Sequence, residues 1–278
     1  MVKFFSVHCH QLTLQPRLHG VCAGYESGKW RADQLSRYLM EWLPEFSLSY
    51  TERKSINDTN SVAQIRKAAQ IVYDTDKYDK RGEFGELLLH ALIRETLGTE
   101  PAISKIFFKD SVNSTVKGFD AVHVLDTPEG LELWIGEVKF YKNISRAIYD
   151  VIPELEAHFN DDYLRKEFIL ITGKLDPNWS GTNRVTDLLH RNKSLDEVVT
   201  SVVVPVLLTY NSATTKGFTE ASAAYKAALE AELRVNHTKF VAKNTVKKVR
   251  IELFLFPMAD KCDLLFLLNK RLQAARDL

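Results

Sequence analysis

The 278-residue sequence contains no apolar run that approaches the roughly 18 residues of a membrane span. Its amino-terminal apolar residues are interrupted by His8 and His10 too early for a secretory signal peptide. Only three cysteines are present, Cys9, Cys22 and Cys262, and none belongs to a C-x-x-C pair. These absences argue against a membrane protein, a disulfide framework and a structural zinc site, and we expect a cytoplasmic protein.

Patterns that would link the chain to nucleotides or to base reading are also missing. The sequence has no glycine-rich phosphate-binding loop and no zinc-finger spacing, which argues against ATP-driven movement and against a readable base-recognition module. It has no repeats and no Pro/Gly-rich linker. Because the net charge is only +1, contact with a polyanion would depend on a local surface or on a partner.

One basic stretch differs from this neutral background. Residues 234–250 contain six Lys or Arg residues, one His and no acidic residue. The six cations are Arg234, Lys239, Lys243, Lys247, Lys248 and Arg250. Such a stretch can bind phosphates electrostatically, and it can equally be a solvated loop. The sequence leaves both interpretations open.

The spacing of apolar residues predicts an α/β protein with a mixed central sheet flanked by helices. From residue 82 onward, the predicted elements include helices 82–96 and 145–159, strands 103–109, 118–125, 131–141 and 202–210, and a buried apolar strand 168–172. The pattern changes near residue 78. We therefore predict an N-terminal appendage, residues 1–77, packed on a main domain, residues 78–278, that includes a C-terminal extension.

The most specific chemistry lies at Asp120 and at Glu137-Val138-Lys139, which are joined through residues 126–130, a Pro- and Gly-containing link typical of a hairpin. Glu137 and Lys139 are two residues apart, so their side chains share one face of a strand. Two charges in an otherwise apolar strand are costly to bury without a partner or a metal ion. A mutually paired surface Glu and Lys is the simpler alternative.

These residue types match the requirements of phosphodiester hydrolysis. Mg²⁺ prefers carboxylate, carbonyl and water oxygens, which Asp120, Glu137 and the carbonyl of Val138 can supply; Mn²⁺ is an alternative metal. Lys139 can contact the scissile phosphate, polarise the attacking water or, with a lowered pKa, act as a base. We therefore predict that Asp120, Glu137 and Lys139 are catalytic.

Two further groups of side chains can contribute to this site. The predicted helix 82–96 carries Glu83 and Glu86, and Glu86 is preferred as a catalytic carboxylate and metal ligand because it borders the apolar stripe. A solvated glutamate in the first helical turn is the alternative. The candidate nucleic-acid contacts, which can also be ordinary surface lysines, are Lys105, Lys109 and Lys117.

Four segments of the chain together resemble the HamA family, the nuclease subunits of the bacterial Hachiman anti-phage defence system. They are residues 82–90 (GEFGELLLH), 104–110 (SKIFFKD), 117–123 (KGFDAVH) and 136–140 (GEVKF). The Asp…Glu-x-Lys core within them is that of PD-(D/E)xK nucleases. One departure from that wider pattern is Phe119, which stands where a proline would precede Asp120.

The resemblance implies a restriction-endonuclease-like core, DNA as substrate, Mg²⁺ as cofactor and a controlling helicase partner, HamB. It assigns Glu137 and Lys139 as the catalytic pair and Asp120 as the preceding acidic residue. The leading hypothesis is a metal-dependent DNA endonuclease effector with little sequence specificity. The alternative is a non-catalytic nucleic-acid-binding or assembly subunit that keeps the nuclease fold. The sequence does not distinguish DNA from RNA cleavage, or nicking from double-strand cutting.

Overall fold

The structure, a computed structural model, describes residues 3–73, 82–104 and 118–278, without the side chains of residues 7–10 and 73. Its strands are β1 (Ser6–Gln11), β2 (Arg17–Cys22), β3 (Tyr25–Glu26), β4 (Lys29–Trp30), β5 (Glu100–Pro101), β6 (Ala121–Thr127), β7 (Gly130–Phe140), β8 (Val202–Asn211) and β9 (Arg250–Met258). Its helices are α1 (Ala32–Glu41), α2 (Leu43–Ser47), α3 (Tyr50–Lys54), α4 (Ser61–Tyr73), α5 (Glu83–Leu97), α6 (Ile144–His158), α7 (Asp161–Lys174), α8 (Thr182–Leu188), α9 (Leu195–Val199), α10 (Ala213–Gly217), α11 (Ala223–Lys243) and α12 (Lys261–Arg276). None of the helices in these ranges has the length and apolar character that a bilayer crossing requires.

Seven of these strands form one mixed sheet in the order β1-β2-β9-β8-β7-β6-β5. The neighbours β2, β9, β8 and β7 are parallel, whereas β1, β6 and β5 are added antiparallel at the two sides. Parallel neighbours require crossover connections, and here helices connect β7 to β8 and β8 to β9. The predicted α/β class, with a mixed central sheet flanked by helices, is confirmed.

Each face of the sheet has its own apolar core. Ile135 of β7 belongs to the core shared with α6, α7 and α11, whereas Val138 and Phe140 belong to the core shared with α1, α4, α5 and α12. Side chains alternate along a strand, so neighbouring residues of β7 face different cores. Glu137 and Lys139 consequently lie on the α6 side of the sheet.

The N-terminal residues contribute strands to the main sheet. β2 pairs in parallel with β9, from Arg17 opposite Glu252 to Gly20 opposite Leu255, and β1 forms the outer edge. The helices α1 and α4 pack against α12, and α2 contacts α5. The division of the chain at residue 78 stays a prediction.

β6 and β7 form the predicted hairpin. The turn between them is two residues long, shorter than the predicted link 126–130. The paired register extends to Ala121 opposite Gly136. Asp120 and Glu137 are the next residue on each strand, so the hairpin places these two acidic residues side by side.

The predicted strand 168–172 is wrong, because these residues belong to α7. Phe168 and Ile171 are buried, whereas Ile169 between them is 69% exposed. Buried residues three positions apart are typical of a helix that packs one face against a core. A short apolar run does not by itself distinguish a buried strand from a helix, and the next strand of the sheet is β8.

The predicted strand 103–109 lies largely outside the described residues. Lys105, Lys109 and Lys117, the candidate nucleic-acid contacts, also lie outside them. Within the described part, β5 covers only Glu100–Pro101 and pairs antiparallel with β6.

A partly buried ion cluster around Glu45 connects α2 to α5. The carboxylate of Glu45 contacts Arg94, with Nη2 to Oε2 at 3.4 Å, and Arg53, with Nη1 to Oε2 at 3.6 Å. Nε2 of His90 lies 3.5 Å from Oε1. Burial opposes the ionisation of Glu45, but His90 and Arg94 outweigh this effect and lower the pKa of Glu45 to about 2.

We expect Glu45→Gln to lower the free energy of unfolding near neutral pH by on the order of 2 kcal/mol. A carboxylate with a depressed folded-state pKa stabilises the fold fully above its unfolded pKa, here 4.5, and loses that contribution as the pH falls towards about 2. Urea unfolding from about pH 7 to about pH 3 should therefore show the two proteins converging in stability. A difference that stays constant with pH would contradict this assignment.

Candidate active site

The side chains of Glu137 and Lys139 are almost completely buried between β7 and α6. Glu137 is 3% exposed and Lys139 is 8% exposed. Charged groups at such positions require partners, because leaving water is otherwise too costly. The partners are Glu154 and His158, both on α6.

The carboxylate of Glu137 is held from two sides. Its Oε2 lies 3.0 Å from Nδ1 of His158, and its Oε1 lies 3.5 Å from Nζ of Lys139. Burial raises the pKa of Glu137 well above the ordinary value, against the opposing effect of Lys139 and with a further contribution from Glu154. Burial also lowers the pKa of His158, which favours the neutral imidazole. Glu137 is thus a desolvated carboxylate whose charged form a bound cation would stabilise.

The ammonium group of Lys139 contacts the carboxylates of both Glu137 and Glu154. Burial alone would lower the pKa of Lys139, but the two carboxylates outweigh it and the pKa is raised. Lys139 therefore stays protonated at neutral pH. A raised pKa does not favour the alternative in which Lys139 acts as a base, and a positive charge suits contact with a phosphate instead.

Asp120 stands at the point where β6 begins and its side chain bonds to the backbone of β7. Its N–H donates to the carbonyl of Gly136 at 2.9 Å, and its Oδ2 accepts the N–H of Val138 at 2.8 Å. The N–H and C=O of one strand residue point to the same side, so the carbonyl of Val138 is directed towards Asp120. The charge of Asp120 also acts on Lys139 and His158, which places these groups in one electrostatic environment.

Glu86 lies on α5, which packs against the opposite face of the sheet. Gly85 of this helix packs on β7, and α5 runs antiparallel to that strand. Nδ1 of His90, one turn after Glu86, is 3.1 Å from Nε2 of His123 on β6. Glu86 is buried, and its position one turn before His90 places it at the part of α5 nearer to the end of β6 that carries Asp120.

The residues present fit the ligand requirements of Mg²⁺, which proteins often hold with one or two carboxylates while water and substrate phosphate complete the octahedron. Asp120, Glu137 and the carbonyl of Val138 supply oxygens of the required kind. Within residues 3–73, 82–104 and 118–278, no three His, Cys, Asp or Glu side chains form a metal-binding group. The role of Glu86 as a metal ligand stays a prediction.

The helices α6 and α7 supply site residues that sequence reasoning did not single out. Glu154 and His158 are four residues apart, so they share one face of α6. The ring of Tyr163 stacks on that of His158 with centroids 4.7 Å apart. The available signal was a polar pair on the inward face of the helix that directly follows the Glu-x-Lys strand.

The fold and these contacts define an α/β protein whose central sheet carries a buried Glu-x-Lys pair beside an aspartate. The profile of the HamA family matches residues 2–272 of the chain. The chain therefore belongs to the HamA family, and this membership supports a subunit of the Hachiman anti-phage defence system. No curated protein matches the chain significantly.

Proposed function

We propose that the chain is a metal-dependent DNA endonuclease effector that cleaves phosphodiester bonds with little sequence specificity in the cytoplasm. The observation that supports this proposal is the buried Glu137 and Lys139 pair beside Asp120. Apolar residues in place of a buried ion pair are often neutral or stabilising for a fold. A purely structural strand therefore has no need of these charges, whereas phosphate chemistry does.

We further propose that a helicase partner controls this activity. The net charge of +1 and the lack of a nucleotide-binding loop suit a subunit that depends on another protein for delivery to DNA. Membership of the HamA family supports the same assignment. The partner expected from the resemblance is HamB.

In the proposed reaction, each side chain of the site has a separate role. When bound, Mg²⁺ supplies Lewis-acid stabilisation of the negative charge that develops on the phosphate. Asp120, Glu137 and the Val138 carbonyl would hold the ion, and the ammonium of Lys139 adds a fixed positive charge for the same phosphate.

Two residues of α6 position this machinery. His158, neutral because of its burial, fixes the orientation of the Glu137 carboxylate through Nδ1. Glu154 contacts the ammonium of Lys139 and so keeps it charged and directed into the site. Both are positioning residues, since they act through Glu137 and Lys139.

Incubation of the purified chain with supercoiled plasmid in Mg²⁺, in Mn²⁺ and in EDTA tests the proposal. We expect nicked and linear products with either metal ion and intact plasmid in EDTA, because the carboxylates need a cation to act on the phosphate. Intact DNA under every condition, with and without a helicase partner, would rule out the nuclease. DNA that is bound but never cut would instead support a non-catalytic binding subunit.

A further inference from the structure

The C-terminal part of α11 and the loop after it carry cations that the proposed active site does not use. Lys239, Lys243, Lys247 and Lys248 are all exposed. No acidic residue occurs between Glu232 and the end of this segment at residue 250. The result is a local positive surface on a protein of almost neutral net charge.

Helix geometry aligns the first two of these side chains. Lys239 and Lys243 are four residues apart on α11, so their Cβ atoms are about 6 Å from each other on one exposed face. Each strand of a DNA duplex presents one phosphate about every 3.4 Å along its axis. Two lysines one helical turn apart can therefore contact nearby phosphates of the same strand.

Most of this positive charge is not neutralised by neighbouring acids. Nζ of Lys239 lies 3.3 Å from Oδ1 of the neutral Asn236 side chain, and among the described residues Lys239 forms no ion pair. For Lys243 and Lys247, no ion pair is formed with any residue in the described part of the chain. Lys248 differs, because its Nζ lies 2.6 Å from Oδ1 of Asp161. The three remaining lysines are available to a polyanionic partner.

The same segment is attached to the helices that border the candidate active site. The hydroxyl of Thr245 donates to Glu156 of α6, and Lys248 is paired with Asp161 at the start of α7. His158, which contacts Glu137, lies between these two attachment points in the sequence. The basic surface and the active site therefore share the α6 side of the sheet.

We propose that Lys239, Lys243 and Lys247 form a contact surface for the phosphate backbone of duplex DNA. This surface holds the duplex against the α6 side of the sheet without reading its sequence, since lysine contacts to phosphates carry no base information. The inference rests on the proposed function in one respect, namely that the bound duplex is the substrate delivered to Lys139. The binding itself does not require cleavage.

The test compares the full-length chain with the triple variant Lys239→Gln, Lys243→Gln and Lys247→Gln. Binding to a fluorescent 30-base-pair DNA duplex is measured in EDTA across a range of salt concentrations. We expect the variant to bind roughly 10- to 100-fold more weakly near 0.1 M salt. The slope of log Kd against the logarithm of the salt concentration should fall by about 2 to 3. The side chains are exposed, so the melting temperature should not change.

A second triple variant controls for net charge. Lys29→Gln, Lys216→Gln and Lys270→Gln removes the same charge at exposed positions outside this segment, and we expect affinity near that of the wild type. An equal loss of DNA affinity in both triple variants would overturn the proposal. An unchanged affinity and salt dependence in the first triple variant would overturn it as well. Weak binding confined to the first variant supports the surface even if the wild type cuts no DNA. Failure of the nuclease proposal is therefore distinguishable from failure of this one.

Discussion

Glu137→Gln is expected to slow DNA cleavage by roughly a thousand-fold or more. The amide keeps the size of the side chain but offers a neutral oxygen and an NH₂ group where a carboxylate would bind the metal ion. Loss of about 4 kcal/mol of metal-dependent stabilisation of the transition state corresponds to such a factor. The rate of plasmid nicking with excess protein in Mg²⁺ measures the effect.

The same substitution should leave the fold intact. Burial makes the ionised carboxylate of Glu137 unfavourable, so a neutral amide is not expected to lower the melting temperature measured in EDTA. Glu220→Gln, in the exposed loop before α11, is the matched control and should cleave DNA at the wild-type rate. Cleavage by Glu137→Gln within tenfold of the wild type would show that the site has been assigned to the wrong residue.

Gly85→Val is expected to cost about 2 to 3 kcal/mol of folding free energy and to impair cleavage as well. A Cβ at position 85 would lie 2.7 Å from Cγ1 of Val138 and 2.8 Å from Cβ of Phe140. The Cβ of Phe140 is fixed by its backbone, so α5 must move away from β7. Because Val138 stands between Glu137 and Lys139, any shift of this strand also displaces the catalytic pair.

Urea unfolding and the plasmid assay together measure this prediction. Gly173→Val is the matched control, since Gly173 lies on the exposed side of α7 and, apart from the adjoining backbone of α7 itself, no atom lies within 4 Å of the position that a Cβ would take. We expect this control to change stability by less than about 0.5 kcal/mol. If both variants lost a similar amount of folding free energy, the cause would be valine in a helix and not the contact between α5 and β7.

The features of the candidate site that depend on residues close in sequence were predictable. The turn residues between the strands, the two-residue spacing of Glu137 and Lys139, and the apolar residues around them all favour one hairpin with both charges on one face. Asp120 follows from the same hairpin, because the paired register carries it to the side of Glu137. Each of these arguments needs only residues that are close in sequence.

The partners of this pair were not predictable from local rules. Glu154 and His158 reach Glu137 and Lys139 only because α6 crosses back over β7, a tertiary arrangement that spacing does not encode. The segment 168–172 was misassigned for a related reason, since only its packing shows that Ile169 is exposed. Whether Glu86 approaches the carboxylates is likewise a question of how α5 packs, which helical periodicity does not answer.

The order of strands in the sheet has a consequence for synthesis on the ribosome. Arg17 of β2 is paired with Glu252 of β9, which is 235 positions later in the chain. Contacts over such separations form late, because closing a long loop costs entropy before the contact is gained. The β1–β2 hairpin therefore has no strand to join until β9 has been translated. We expect a nascent chain to carry the Glu-x-Lys strand long before it has a finished sheet, so that a competent fold first forms only after β9 has left the ribosome.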